Sequence, residues 1–298
     1  MASLKEIRTR ISSVISTRQI TSAMKMVSAA KLKKAQDTIL MLRPYANKLQ
    51  EILSTLSSND NNNDDNPYAK ERTVEKVLIV VITSNRGLCG AFNANVIKLA
   101  LQLANEKYGR LLANGNVVFM PIGKKAADFF IKKNFHVTID HYNALLDGAT
   151  FEKTVPAVQM LINTFLDGTY NTIEIVYNQF KNAAVQIISA EQFLPIAKEP
   201  ERKTDTRLKP VYQDFIFEPS KEYIIKELIP KSLKIQLYKA LLDSIASEHG
   251  ARMTAMHKAT DNASDIVKDL KLQYNKARQA SITKEILEIV SGAEALQG

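Results

Sequence analysis

The sequence predicts an α/β protein in which a long antiparallel coiled coil of the N- and C-terminal helices carries an inserted open α/β, Rossmann-like domain. Three observations lead to this fold class. Residues suited to a helix seam recur by threes and fours at both chain ends, strand-length apolar runs alternate with helical patterns between them, and polar tracts separate these regions. The predicted divisions are a first helix at 1–58, a linker at 59–73, the α/β domain at 74–213 and a last helix at 214–298.

The composition is ordinary for a globular protein, but the charge is unevenly distributed. The 298 residues carry a net charge of +9, and residues 1–56 hold ten Lys and Arg against three acids, a local charge of +7. Such a segment is either a solvated face or a surface for nucleic acid, anionic lipid or an acidic protein. No apolar run is long enough to span a membrane. The single cysteine, Cys89, excludes an internal disulfide and fits a reducing compartment.

The first 58 residues predict one long helix. Ser3 and Glu6 form a capping-box pattern at its start, and Pro44 is expected to kink the helix or end it early. At 1.5 Å per residue the helix would be roughly 80 Å long, so it must extend beyond any compact core. Its seam alternates by three and four through Leu4, Ile7, Ile11, Val14, Arg18, Thr21, Lys25, Ser28, Leu32, Ala35, Ile39, Leu42, Ala46, Leu49, Leu53 and Leu56.

The middle of the chain predicts an open sheet. The Asn- and Asp-rich tract at 59–66 ends the first helix, because these residues favour turns. The run Val77–Thr83 is continuously apolar, as expected of a strand buried on both faces. Alternating strands and helices indicate a sheet that is at least partly parallel. The remaining predicted strands lie at 116–122, 135–139, 172–180 and 185–191 with a short extended piece at 214–219, and the helices lie at 94–108, 124–133 and 151–166.

The last segment predicts a second long helix with an unusual seam. The three-four alternation gives a 3.5-residue repeat, which keeps one face against a partner helix. Large aliphatic residues are few on this face, so the pair would be a weak coiled coil by itself. We therefore expect part of the pair to lie inside another assembly. The seam positions are Leu242, Ala246, His249, Met253, Met256, Thr260, Ala263, Val267, Leu270, Tyr274 and Ala277.

The sequence gives only weak support for a phosphate site, a nucleophilic cysteine, a metal site or a nucleic-acid surface. The turn Arg86–Gly90 after the first strand has neither the Walker spacing nor the dinucleotide fingerprint, so a structural turn is favoured over a phosphate site. Cys89 would be a nucleophile only if the fold placed a histidine beside it. The four histidines have no metal-ligand spacing, and the basic first helix lacks the interleaved aromatics of nucleic-acid binders. No cofactor and no metal is expected.

Long tracts at both ends closely resemble the gamma subunit of the F-type ATP synthases. The resemblance rests on Lys5–Arg8, Gln19–Ser28 and Arg43–Tyr45, on the turn Arg86–Gly90, and on the C-terminal tracts Ala251–Met256, Ala259–Asn262 and Tyr274–Thr283. It implies that the paired helices form the central shaft inside a ring of alternating alpha and beta subunits. It also implies that the α/β domain is a foot beside the epsilon subunit and the membrane ring of c subunits.

The resemblance implies a rotor without catalytic, cofactor or metal residues of its own, coupling proton flow to ATP synthesis at the alpha and beta subunits. It assigns Met24, Arg278, Gln279 and Thr283 to contacts between shaft and beta subunits, and Glu218 to the foot near the c ring. The implied partners are the alpha, beta, delta and epsilon subunits and the c ring, without nucleic acid or a direct small-molecule ligand. Without a transit peptide, a bacterial protein peripheral to the cytoplasmic face of the plasma (inner) membrane is expected.

Two other classes of function stay open at this point. A basic coiled-coil protein that binds nucleic acid would show affinity that falls steeply with salt. A Rossmann-like enzyme with helical arms would show saturable nucleotide binding.

Overall fold

The computed structural model describes residues 3–58, 67–70, 72–138, 142–196 and 221–297. The chain divides into two compact units, one formed by 1–29 with 252–298 and the other by 30–251. Helix α1 (Leu4–Ser58) and helix α5 (Lys221–Gln297) each contribute to both units. The two helices are antiparallel, and the fold is the predicted coiled coil with an inserted α/β domain. The domain boundaries at 58, 73 and 213 stay a prediction.

Helix α1 begins as the capping pattern predicts. The backbone N–H of Glu6 donates to Ser3 Oγ at 3.2 Å, while the Glu6 carboxylate pairs with Arg10 at 3.0 Å. The expected early end at Pro44 is wrong, because α1 continues through Pro44 to Ser58. A proline costs a helix one backbone hydrogen bond, and here the apolar seam resumes beyond it with the buried Leu49.

The sheet lies within the unit 30–251. Its strands are β1 (Val77–Ile82), β2 (Val117–Ile122), β3 (Thr172–Phe180) and β4 (Gln186–Leu194), in the order β2-β1-β3-β4. Strand β1 pairs in parallel with β2 and with β3, and β4 pairs antiparallel with β3. The sheet is therefore partly parallel, as predicted.

Helices cover both faces of this sheet. Helices α2 (Phe92–Ala113) and α3 (Lys124–Lys132) pack on one face, and α4 (Phe151–Leu166) and the first turns of α5 pack on the other. Successive residues of β1 enter the two cores alternately: Val77, Ile79 and Val81 enter one, and Leu78, Val80 and Ile82 the other. Every residue of β1 is consequently buried.

The strand expected at 135–139 does not form over the described residues 135–138. Val137 makes one isolated parallel bridge to Phe119 of β2. Two hydrogen bonds hold it, from Phe119 N–H to the His136 carbonyl and from Thr138 N–H to the Phe119 carbonyl. Phe135 packs edge-on against Phe119 and Phe130, so aromatic packing rather than a longer ladder anchors this segment. A short 3₁₀ helix at Asn143–Leu146, which the sequence did not indicate, follows it.

Candidate partner-contact surface

The seam predicted from the three-four alternation is the face that α1 and α5 bury. Among the described positions, every predicted seam residue of α1 is buried or half-buried, from Leu4 to Leu49. On α5 the same holds from Leu242 to Ala277, while nearly all flanking positions beyond Thr260 are exposed. A 3.5-residue repeat produces this pattern when two helices wind around each other. Beyond Thr260, most of the α5 surface outside the seam is therefore available to other molecules.

The seam contains polar contacts where a stable coiled coil would place Leu or Ile. Thr21 Oγ1 of α1 and Thr260 Oγ1 of α5 lie 2.8 Å apart. Thr260 Oγ1 also lies 2.8 Å from the Met256 carbonyl, and the buried Ser28 donates to the Met24 carbonyl at 2.7 Å. Hydroxyls that are satisfied within their own helix can enter a seam without leaving unpaired polar groups. The pair is closely packed here, but it buries little aliphatic surface.

Of the predicted contact residues on α1, Met24 is only half exposed and lies beside the seam. Its neighbours Ile20, Met26 and Val27 are more exposed, and Met26 reaches 65%. Sequence reasoning missed these three residues. The available signal was an apolar side chain off the three-four alternation, because such a residue on a solvated helix face marks a surface that a partner can cover.

Arg278, Gln279 and Thr283 are all exposed on α5. The Thr283 hydroxyl donates to the Gln279 carbonyl at 3.0 Å, and the side chains of Arg278 and Gln279 face solvent. The structure thus leaves these groups accessible to another chain, and their contact role stays a prediction. Glu218, the predicted foot contact, lies outside the described residues.

Beyond Ser281 the described part of α5 is uncovered. All positions from 282 to 293 are exposed, and five of them are large aliphatic residues. A lone amphipathic or apolar helix end is unstable in water and normally marks a protein contact. The sequence interpretation assigned only Thr283 of this stretch to a partner contact and did not use its apolar residues. They are Ile282, Ile286, Leu287, Ile289 and Val290.

The turn after β1 is built from its own hydrogen bonds. Ser84 N–H donates to Asn93 Oδ1 at 2.9 Å, and Asn93 Nδ2 donates to Ser84 Oγ at 2.8 Å and to Cys89 Sγ at 3.2 Å. Cys89 is buried among these groups. Leu88 and Gly90 take positive φ values of 64° and 60° that close the turn. The turn is therefore structural, as the sequence interpretation favoured.

One buried acid of the sheet is paired with neighbouring donors. Glu174 of β3 accepts from the Tyr108 hydroxyl at 2.7 Å and from Lys107 Nζ, at the point where α2 leaves helical geometry at Tyr108. Burial, together with the hydrogen bond to Glu174, raises the pKa of Tyr108. These contacts join α2 to the sheet and leave no free acid–base pair there.

Neither a membrane span nor a metal-binding cluster occurs among the described residues. No helix there is long and apolar enough to cross a membrane. No group of three or more His, Cys, Asp and Glu residues in the same part of the chain is placed to hold a metal ion.

Comparison with known proteins finds similar sequences over nearly the whole chain. A family model described as ATP synthase matches residues 3–296. An ATP synthase gamma chain of Flavobacterium psychrophilum is 57% identical over 298 residues and 100% of both chains, and that of Cytophaga hutchinsonii is 54% identical over 296 residues and 99% of both.

Solved structures show the same fold. A chain of the central stalk and c-ring structure of the Tetrahymena thermophila mitochondrial ATP synthase superposes with a TM-score of 0.55 and 26% identity, covering 80% of this chain and 99% of that one. A chain of the Euglena gracilis mitochondrial ATP synthase gives a TM-score of 0.66 at 20% identity, covering 98% and 94%.

Proposed function

This chain belongs to the ATP synthase gamma-chain family and is a central-stalk subunit of an F-type ATP synthase, and on that premise we propose how its surface serves rotation. The paired parts of α1 and α5 turn inside the ring of alpha and beta subunits and drive each catalytic site through its states. Proton flow through the c ring supplies the rotation. The observation that carries this proposal is the uncovered apolar and polar end of α5 over 282–293.

A rotating shaft acts only through contacts that differ between the states of its partner. A ligand shifts a conformational equilibrium by the difference of its affinities for the two states, and by no more. A shaft that bound one orientation very tightly would stop there. Exposed Met26 and Val27 on α1 and exposed Arg278 and Gln279 on α5 supply contacts that can be made and broken, because methionine packs adaptably and exposed polar pairs are weak.

The individual roles that we propose are those that the resemblance implies. Met24 contacts the beta subunits from α1, and Arg278, Gln279 and Thr283 make polar contacts to the beta subunits from α5. Glu218 matches an acidic position of the foot near the polar loops of the c ring. The basic segment at 1–56 meets acidic loops at the base of the beta subunits, where opposite charge favours association without fixing one geometry.

The chain itself performs no bond chemistry and holds no nucleotide in this proposal. Its partners are the alpha, beta, delta and epsilon subunits and the c ring. It lies at the cytoplasmic face of the bacterial plasma membrane as a peripheral subunit. The self-contained turn around Ser84 and Asn93 supports the absence of a phosphate site, because its donors and acceptors pair with one another.

The test is the double change Arg278→Ala with Gln279→Ala in the assembled enzyme. ATP synthesis is expected to fall by about thirtyfold, since two polar contacts are lost and each is worth about 1 kcal/mol. The matched control is Lys98→Ala with Gln102→Ala, which removes a cation and an amide from the exposed face of α2. This control is expected to leave ATP synthesis unchanged.

ATP synthesis in membrane vesicles is the measurement, with thermal unfolding of the isolated chain as a check on folding. Unchanged synthesis in the Arg278 and Gln279 variant would contradict the assigned contacts. Tight duplex binding by the isolated chain, steeply dependent on salt, would instead support a nucleic-acid binder. Saturable nucleotide binding measured by calorimetry would support an enzyme.

A further inference from the structure

Helix α5 fits closely against the end of β3 and the connection that leads from β3 to β4. Ser247 is fully buried, and its hydroxyl donates to the Asn178 carbonyl at 3.1 Å. One turn later, a Cβ added at Gly250 would lie 3.1 Å from the Ala183 carbonyl oxygen. The absence of a side chain at Gly250 therefore lets the helix and the connection approach at backbone distance. These contacts all lie within the unit 30–251.

Asp243 lies one turn before Ser247 in the same contact. Its side chain is 1% exposed and accepts a hydrogen bond from the Phe180 backbone N–H at the end of β3. Its Oδ1 has no hydrogen-bond partner within the described part of the chain. A buried carboxylate oxygen without a donor is costly when the group is ionised.

Charged and titratable groups face Asp243 from each packed element. Lys239 approaches from α5 and the exposed Arg43 from α1, while Glu191 of β4 adds a second negative charge. Tyr177 of β3 donates its hydroxyl to Glu191 Oε1 at 2.7 Å and also interacts with Asp243. Burial is the main cause that raises the pKa of Asp243 to about 6, and Lys239 and Arg43 oppose it.

We propose that the contact of α5 with β3 and β4 through Asp243, Ser247 and Gly250 is a proton-sensitive joint, which holds the sheet to α5 more firmly when Asp243 is neutral. A neutral carboxyl removes the buried charge that has one unsatisfied oxygen. Ionised Asp243 keeps the joint loose enough to open locally. This property goes beyond the rotor role and does not depend on it.

The direction of the pH dependence follows from the raised pKa of Asp243. A carboxyl with an ordinary pKa of 3.8 when exposed and about 6 in the joint binds more protons closed than open. The closed joint is therefore most stable at low pH, and its stability falls as the pH rises from about 4 to above 6. Between pH 5.0 and pH 7.5 this linkage changes the opening equilibrium by about tenfold.

The test is hydrogen exchange by mass spectrometry on peptides spanning 178–183, in the assembled enzyme containing the full chain. After correction for the intrinsic pH dependence of amide exchange, we expect about tenfold greater protection at pH 5.0 than at pH 7.5. Asp243→Asn removes the charge and should make protection independent of pH over this range. Asp269→Asn makes the same chemical change at an exposed position of α5 and should keep the wild-type profile.

Glu191→Gln provides a second variant, because removing the neighbouring negative charge should move the midpoint to lower pH. A lower midpoint in this variant would support the proposal even if Asp243→Asn fails to assemble, and an unchanged midpoint would overturn it. Wild-type protection that does not vary between pH 5.0 and pH 7.5 would overturn the proposal. An unchanged pH profile in Asp243→Asn would overturn it equally.

Discussion

At the scale of single residues, Gly123 shows how closely the end of β2 approaches the end of β1. Its φ is 118°, and an added Cβ would lie 2.5 Å from the Thr83 carbonyl oxygen. Thr83 is fully buried, and its Oγ1 accepts from the Ala126 N–H at 3.0 Å, which fixes the first turn of α3. No side chain can occupy this gap without moving the backbone at the ends of β1 and β2.

Gly123→Ala is consequently expected to lower the free energy of unfolding by about 3 kcal/mol or more, from backbone strain and steric overlap together. Denaturant unfolding of the isolated chain, followed by circular dichroism, is the measurement. Gly109→Ala is the control, because nothing lies within 4 Å of its added Cβ and its φ is not positive. Equal stabilities for the two variants would show that the gap at Gly123 can open freely.

At the scale of elements, the α1–α5 seam depends on few fully buried side chains. Among the described residues of the unit formed by 1–29 and 252–298, the buried apolar ones are Ile7, Met256, Ala263 and Val267. Small and polar seam residues such as Ala263, Thr21 and Thr260 let the helices approach, but they bury little apolar area. Each large side chain in this seam should therefore contribute more to the stability of the helix pair than a side chain of similar size on an exposed face.

Met256→Ala is expected to destabilise the helix pair by about 2 kcal/mol, because it removes a buried side chain and leaves a cavity. The exposed Leu272→Ala on the same helix should change stability by less than about 0.5 kcal/mol. Thermal unfolding measured at 222 nm would compare the two variants. A loss as large for Leu272 as for Met256 would contradict the observed seam.

At the scale of the whole molecule, the two units differ in how they are stabilised. The unit 30–251 contains two hydrophobic cores and a sheet whose β1 strand is wholly inaccessible. The other unit has a narrow seam, and its described positions from 282 to 293 are exposed. Local opening free energies follow buried apolar contacts and hydrogen-bond protection.

Amide hydrogen exchange should separate these regions in the isolated chain. Amides of β1 and β3 are expected to exchange more slowly than those of 282–293, by on the order of a thousandfold. Assembly with the partner subunits should protect 282–293 and leave β1 unaffected. Equal exchange of 282–293 before and after assembly would contradict its role as a contact surface.

Much of the fold could be predicted because it depends on local geometry. The 3.5-residue repeat follows from helix pitch. The sequence alone therefore predicted the seam of α1 from Leu4 and the seam of α5 from Leu242 to Ala277. The strand at 135–139 was predicted wrongly, since a short apolar run does not reveal whether a neighbouring edge will accept a full ladder. Part of the candidate surface was missed for a similar reason: Ile20, Met26 and the end of α5 have ordinary apolar side chains, and only the fold leaves them exposed.

The sequence by itself determined the two helices, their seam and the alternation of strands and helices, because these are properties of spacing and residue type along the chain. The family was indicated separately, by the resemblance of long tracts at both ends of the chain. Only the tertiary structure decided the strand order β2-β1-β3-β4, the closed turn around Ser84 and the neighbours of Asp243. Arg43, Glu191 and Asp243 are far apart in sequence, and each is an ordinary charged residue there. Their interaction arises from folding, which removes water from Asp243 and leaves one oxygen without a donor.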